Sequence, residues 1–183
     1  MNKPVYILSR VQLGPEDPDF RSVLTPMEAR RLGRLLKRAV WTSRTALEQA
    51  GLSCPDAVIT ATDFGALSQS EAFLEALKDP EGSPRPTHFM QSTHNTISSL
   101  IAMNLHCHGY NATYSHRGTS LQSALADAWM LIQEGQASTV LVGQFDEPSR
   151  YNLESADIAL SLVLSDRGGE GAELLKNPLE ELL

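Results

Sequence analysis

The stretch from Gly109 to Glu147, GYNATYSHRGTSLQSALADAWMLIQEGQASTVLVGQFDE, is the strongest constraint on how this chain folds. Residues 110–115 read as a strand, residues 119–133 as an amphipathic helix, and residues 138–143 as a second strand. The second strand, STVLVG, is a short, continuous apolar run of the kind buried on both faces of a parallel sheet. Between strand and helix lies a tight turn. A turn at the mouth of a helix is a common seat for a nucleophile, but this apex reads His116-Arg117-Gly118-Thr119-Ser120, without a cysteine.

The rest of the chain follows the same alternation. Residues 5–13 (VYILSRVQL) are a strand by their β-branched and aromatic content, ended by a Gly-Pro-Glu-Asp-Pro segment that cannot continue a ladder. Thr25-Pro26-Met27-Glu28 is a helix start with a capping box and a proline at the first helical position. The spacing of Leu32, Leu35, Leu36, Ala39, Val40, Ser43, Ala46, Leu47 and Ala50 carries that helix to Gly51. Its other face holds Arg30, Arg31, Arg34, Lys37, Arg38 and Arg44, which is either a solvated face or a dock for an acidic partner. Residues 56–62 are a buried-type strand, 68–77 a short helix, 79–86 a loop, 95–107 a helix and 158–165 a last strand. These elements predict an α/β domain over residues 1–167, with a mixed, mostly parallel five-stranded sheet and helices on its faces. Residues 168–183 are expected to be a flexible C-terminal tail; a short helix from 172 is opposed by Pro178.

Hydrophobic residues make up 42% and charged residues 20%, an ordinary globular balance. A net charge of −7 argues against general affinity for nucleic acid or an anionic membrane. No apolar run approaches the roughly 18 residues that span a bilayer, and the N-terminus lacks a signal-peptide core, so a cytoplasmic setting is expected. Cys54 and Cys107 have no metal or disulfide-framework spacing. His106 and His108 flank Cys107, but residues two apart at a helix end point in different directions, so no metal site is expected. Ser115 and His116 are adjacent on a strand and face opposite ways; they are not a natural nucleophile–base couple, although His94 could approach in space. No GxSxG, GxGxxG or GxxxxGK motif sits in a suitable context, and no cofactor is expected.

Several segments in order resemble the N-terminal half of a β-ketoacyl synthase of the thiolase fold, including its chain-length-factor-like members. They are Arg30-Arg31-Leu32-Gly33-Arg34 with the Ala46–Leu52 helix end, the turn from Asp56 to Gly65, the segment Phe89–Thr96, Gly109-Tyr110-Asn111 with Thr113-Tyr114-Ser115, and Gly143, Asp146 and Glu147. The resemblance covers about residues 5–166 and implies the thiolase-like half-fold. It also places the family's nucleophilic cysteine at Gly118, where no thioester can form. The family's second catalytic residues, two histidines or a histidine and a lysine, lie in a half that this chain does not reach. The resemblance therefore implies no condensing activity from this chain alone.

A non-catalytic, truncated ketosynthase-like subunit of fatty-acid, aryl-polyene or polyketide synthesis is the expected function, acting as a homodimer or as a heterodimer with a ketosynthase. The alternatives are an acyltransferase or thioesterase-like enzyme using Ser115, His116 or His94, and an acyl-binding protein. By the same resemblance Arg30, Arg31 and Arg34 are expected to dock an acyl carrier protein. Tyr110, Ala112 and Tyr114 on the strand, with Trp129 and Ile132 on the nearly all-apolar helix, are expected to form an interface.

Overall fold

The computed structural model describes residues 3–152 and 154–180. Its core is one sheet with strands β1 (Tyr6–Gln12), β2 (Ala57–Ala61), β3 (Tyr110–Tyr114), β4 (Thr139–Asp146), β5 (Ile158–Ser165) and β6 (Glu173–Leu174), in the order β3-β2-β4-β5-β1-β6. The helices are α1 (Pro26–Arg31), α2 (Arg34–Gln49), α3 (Leu67–Lys78), α4 (Pro86–Ser92), α5 (Thr96–Leu105) and α6 (Ser120–Gln133). All five expected strands are present within a residue or a few of their expected bounds.

The sheet has six strands among the described residues rather than five. β1 to β4 run in one direction, while β5 and β6 run in the other. The β3-β2-β4 ladders are parallel because helices supply the crossovers: α3, α4 and α5 between β2 and β3, and α6 between β3 and β4. The connection from β4 to β5 has no helix in it and returns the chain antiparallel.

The two faces of the sheet follow the period-2 alternation of each strand. Val58, Leu141, Phe145 and Val163 face a layer built from α2 and α5 (Leu35, Leu36, Ala39, Leu47, Ile97 and Ile101). Ile59, Val140, Val142, Leu162 and Leu164 face α6 through Ala124, Ala128, Trp129 and Ile132. Gly143 in β4 leaves room for a ring: a Cβ there would lie within 2.5 Å of Phe145 Cζ.

The long first helix is divided. Thr25 caps α1 with the expected capping box, but Leu32 turns extended and Gly33 starts α2. Gln91 of α4 bridges this break, accepting from the Gly33 N–H (2.9 Å) and donating to the Arg31 carbonyl (2.5 Å). A Cβ on Gly33 would meet the Gln69 side-chain amide at 2.6 Å, so a larger residue there would have to displace that amide.

The basic face is only partly solvated. Arg30, Arg31 and Arg44 are exposed, but Arg38 is fully buried. Its guanidinium bonds Asp157 and the Gly14 carbonyl and lies 3.3 Å from Asp17. One turn earlier Arg34 pairs with the same carboxylates, Asp17 at 2.8 Å and Asp157 at 3.2 Å, and donates to the Pro15 carbonyl. A buried cation persists only when paired in this way. The two arginines clamp the loop after β1 to the approach to β5.

The segment after residue 167 does not behave as the expected tail. Glu173–Leu174 adds β6 to β1, and the Leu175 N–H donates to the Val5 carbonyl at 2.8 Å. Edge donors and acceptors of β1 draw the chain into a ladder, and the following 3-10 turn, Pro178–Glu180, touches α6. Leu175 and Leu179 join the α6 cluster. Residues 181–183 lie outside the described residues. This return, with the sheet on the other side, leaves Trp129 and Ile132 buried within the chain, so the expectation that they form an open interface is corrected; Met130 remains 40% exposed.

Arg38→Met, which keeps the stem and removes the charge, is expected to cost about 3 kcal/mol, because Asp17 and Asp157 lose a buried partner. Arg30→Met is expected to stay within about 0.5 kcal/mol. Urea denaturation midpoints at constant slope check both.

Candidate functional site

The C-terminal ends of β2, β3 and β4 meet at one edge of the sheet, the place where open α/β sheets gather their functional loops. At its centre is Asp146, the last residue of β4 and nearly fully buried. Its carboxylate accepts from the Thr62 hydroxyl (2.8 Å) and from the N–H groups of Asp63 (2.9 Å), Phe64 (2.9 Å) and Gly65 (3.3 Å). Gly65 has φ 71, a left-handed conformation that brings three successive N–H groups around to one carboxylate. Burial pushes the Asp146 carboxyl up, against these donors, which favour its charged form.

The network continues into the opening turn of α6. The Ser120 hydroxyl donates to Asp63 Oδ1 at 2.5 Å and accepts from the His116 N–H at 2.9 Å. The end of β2, the end of β3 and the start of α6 are thus tied through one serine. Between them the chain turns sharply: Arg117 has φ 44 and Gly118 φ 75. Left-handed backbone at a non-glycine residue carries strain, and here the surrounding hydrogen bonds hold it in place. The Arg117 guanidinium lies 5.1 Å above the Phe64 ring, a cation–π contact across the two turns.

Glu147, the next residue, accepts from the Ser68 N–H at 2.7 Å. That carboxylate serves the first turn of α3, whose own cap residue, Ala66, has no side-chain acceptor. Burial pushes Glu147 up, partly offset by the Ser68 hydrogen bonds and by the more distant Arg34 charge.

The three sequence-derived nucleophile and base candidates are not assembled. Ser115 and His116 are exposed. The His116 ring lies 5.7 Å from that of Tyr114. His94 rests its imidazole against Gly65, where a Cβ would be 3.6 Å from the ring, and both its ring nitrogens are enclosed without a hydrogen bond. Among the described residues no hydrogen bond joins any two of these side chains. Nor does any group of three or more His, Cys, Asp or Glu side chains among them stand ready to hold a metal.

A family model, β-ketoacyl synthase N-terminal domain, matches residues 9–178. The chain belongs to this family. Curated proteins give no match. Among solved structures, the ketosynthase ApeO in complex with its chain length factor ApeC from Xenorhabdus doucetiae shares the fold at TM-score 0.71 and 19% identity, covering 91% of this chain and 80% of that one. The ishigamide ketosynthase/chain length factor matches at TM-score 0.69 and 17% identity, covering 94% of this chain and 63% of that one. The AntDE:AntF structure, described as a type II PKS acyl-carrier protein in complex with its ketosynthase, matches at TM-score 0.76 and 15% identity, covering 91% and 64%. At such identities the shared property is the fold. This chain spans less than two thirds of the length of the latter two.

Within the family fold, the apex at Arg117-Gly118 is the strand-to-helix turn that the sequence singled out. The hub beneath it was visible in the sequence only as two acids after an apolar strand and a glycine after Thr-Asp-Phe. The Ser120–Asp63 bond had no sequence signal, because it joins residues far apart in the chain.

Removing the Asp146 carboxylate by Asp146→Ala leaves the Asp63 and Phe64 N–H groups without an acceptor, while the Gly65 N–H keeps the Thr62 hydroxyl at 2.7 Å, and is expected to cost about 3 kcal/mol. Thermal or urea unfolding measures it. Glu147→Gln keeps an oxygen for the Ser68 N–H. Since burial raises the Glu147 carboxyl in the folded state, its contribution to stability is fully present in acid and is lost as pH rises through the folded value. Wild type is therefore expected to lose stability relative to Glu147→Gln as pH climbs from the ordinary value of 4.5 through the raised one, read as denaturation midpoints across that range.

Proposed function

We propose that this chain is a non-catalytic ketosynthase-like subunit that works by association. The observation that carries this reading is the apex of the β3–α6 turn. The family fold is intact around it, and Arg117 and Gly118 occupy its two left-handed positions. Neither has a thiol, so no acyl thioester forms there. Ser120, one turn on, is committed to Asp63 and to the His116 N–H and is buried. An acyltransferase or thioesterase reading has less support, since Ser115, His116 and His94 lack the mutual hydrogen bonds that activate a nucleophile.

The partner surface we favour is the β3 edge. Among the described residues β3 pairs only with β2, Tyr110 is exposed, and Ala112 and Tyr114 are half-buried. An unpaired edge of five residues suits a second strand, from another copy or from a ketosynthase. The relatives are described as complexes of a ketosynthase with a chain length factor, or with an acyl carrier protein, which supports a partner of that kind. For the carrier protein, Arg30 and Arg31 at the end of α1 are exposed cations. Arg34 is engaged by Asp17 and Asp157 and serves the fold first.

Incubation with acyl-CoA or acyl carrier protein, followed by intact mass, is expected to leave the chain unmodified; a covalent acyl adduct overturns the reading. Sedimentation at micromolar concentration is expected to show a dimer, or a heterodimer with a co-purified ketosynthase, and a stable monomer in both cases counts against the edge. Reversing charge in Arg30→Glu/Arg31→Glu is expected to weaken carrier-protein binding several-fold, and added salt to weaken the native interaction. Binding indifferent to both leaves these arginines as solvated surface.

A further inference from the structure

Cys54 and Cys107 stand together at the end of the sheet opposite the candidate site. β2 and β3 are parallel and in register, Ala57 beside Tyr110. Continuing the register three residues back along both chains sets Cys54 beside Cys107. The backbones remain close on the way, since Gly109 approaches so near that a Cβ would sit 1.8 Å from the Asp56 carbonyl oxygen. Both thiols donate to one acceptor, the Pro55 carbonyl, each at 3.3 Å. Two sulfurs that share one carbonyl oxygen are themselves neighbours, and Cys107 perturbs Cys54 directly. Adjacent strands lie roughly 4.8 Å apart, inside the span of about 4.4–6.8 Å between Cα atoms that a disulfide bridges.

We propose that Cys54 and Cys107 form a reversible disulfide, a covalent modification site independent of the ketosynthase-like turn. Cys54 is exposed and Cys107 buried, which fixes the order of events. The Cys54 thiol loses its proton to solvent, and the thiolate attacks one sulfur of a low-molecular-weight disulfide such as oxidised glutathione. A mixed disulfide forms on Cys54, and one glutathione thiolate leaves. Cys107, deprotonated in turn, attacks the Cys54 sulfur. The Cys54–Cys107 bond forms, and a second glutathione thiolate leaves. Two protein thiols are oxidised and one glutathione disulfide is reduced to two thiols. Burial, with the Cys107 neighbour adding to it, pushes the Cys54 thiol up. The first step is therefore slow near neutrality and faster in mild alkali. The sequence contains only these two cysteines, so no other thiol in the chain competes.

The bond would join the lead-in of β2 to the residue after α5's cap, enclosing β2, α3, α4 and α5 in a covalent loop. It would pin the N-terminal ends of β2 and β3, while their C-terminal ends carry the Asp146 network.

The test uses the native full chain with oxidised glutathione, read by intact mass, thiol count and a non-reducing peptide map. The expected product has lost two hydrogens, retains no glutathione, carries a link between the Cys54 and Cys107 peptides, reverts with dithiothreitol, and melts several degrees higher than the reduced chain. Cys107→Ser is expected to stop at one stable glutathione adduct on Cys54. A native chain that keeps glutathione on Cys54 with Cys107 free overturns the proposal. So does one that links only between two copies, or one whose two thiols persist until it is denatured.

Discussion

A single carboxylate organises the functional end of this domain. Asp146 closes β4 and takes up the turn that follows β2: its carboxylate accepts from three successive backbone N–H groups, the third of which, Gly65, also bonds the Thr62 hydroxyl. Without that carboxylate, the Asp63 and Phe64 N–H groups would be unpaired donors, each costing about 1–3 kcal/mol. With that turn fixed, Asp63 is positioned to receive the Ser120 hydroxyl, and Ser120 in turn receives the His116 N–H. The strained apex at Arg117 and Gly118 is held at the end of this chain of bonds. The geometry of this strand-to-helix turn is maintained from below by β4.

β2, β4 and β5 were legible because they are apolar runs bounded by breakers, β4 and β5 being buried along almost their whole length, and β1 and β3 because of their β-branched and aromatic residues. The break at Leu32 and Gly33 was not, because the hydrophobic spacing runs through it without a phase change and Gln91, from another part of the chain, stabilises it. Arg38 looked like one more surface cation in a run of six. Its burial depends on Asp17 and Asp157, two carboxylates that the loops bring together, and helical spacing carries no information about them. The β6 strand was hidden by Pro178 and the surrounding leucines, which read as a poor helix; it forms because β1 offers it an edge.

Of the candidate site, the sequence identified the turn and the absence of a thiol at its apex, but not what supports it. His94, Ser115 and His116 were chosen by residue type. The structure separates their roles: His94 packs on Gly65 with both ring nitrogens enclosed, and Ser115 and His116 lie on the surface. Periodicity locates elements, whereas the proton path needed for acyl chemistry depends on distances between elements, which no local pattern encodes.

The two margins of the sheet are unequal. One carries β6, two residues long, against Tyr6 and Ile7 of β1; the other ends in β3, which pairs only with β2 among the described residues. Two copies that met through β3 about a twofold axis would each bury that edge against the other, and the contact would close on itself. Such a pairing is self-limiting, so an open strand that invites fibres in other proteins would here terminate an assembly at two.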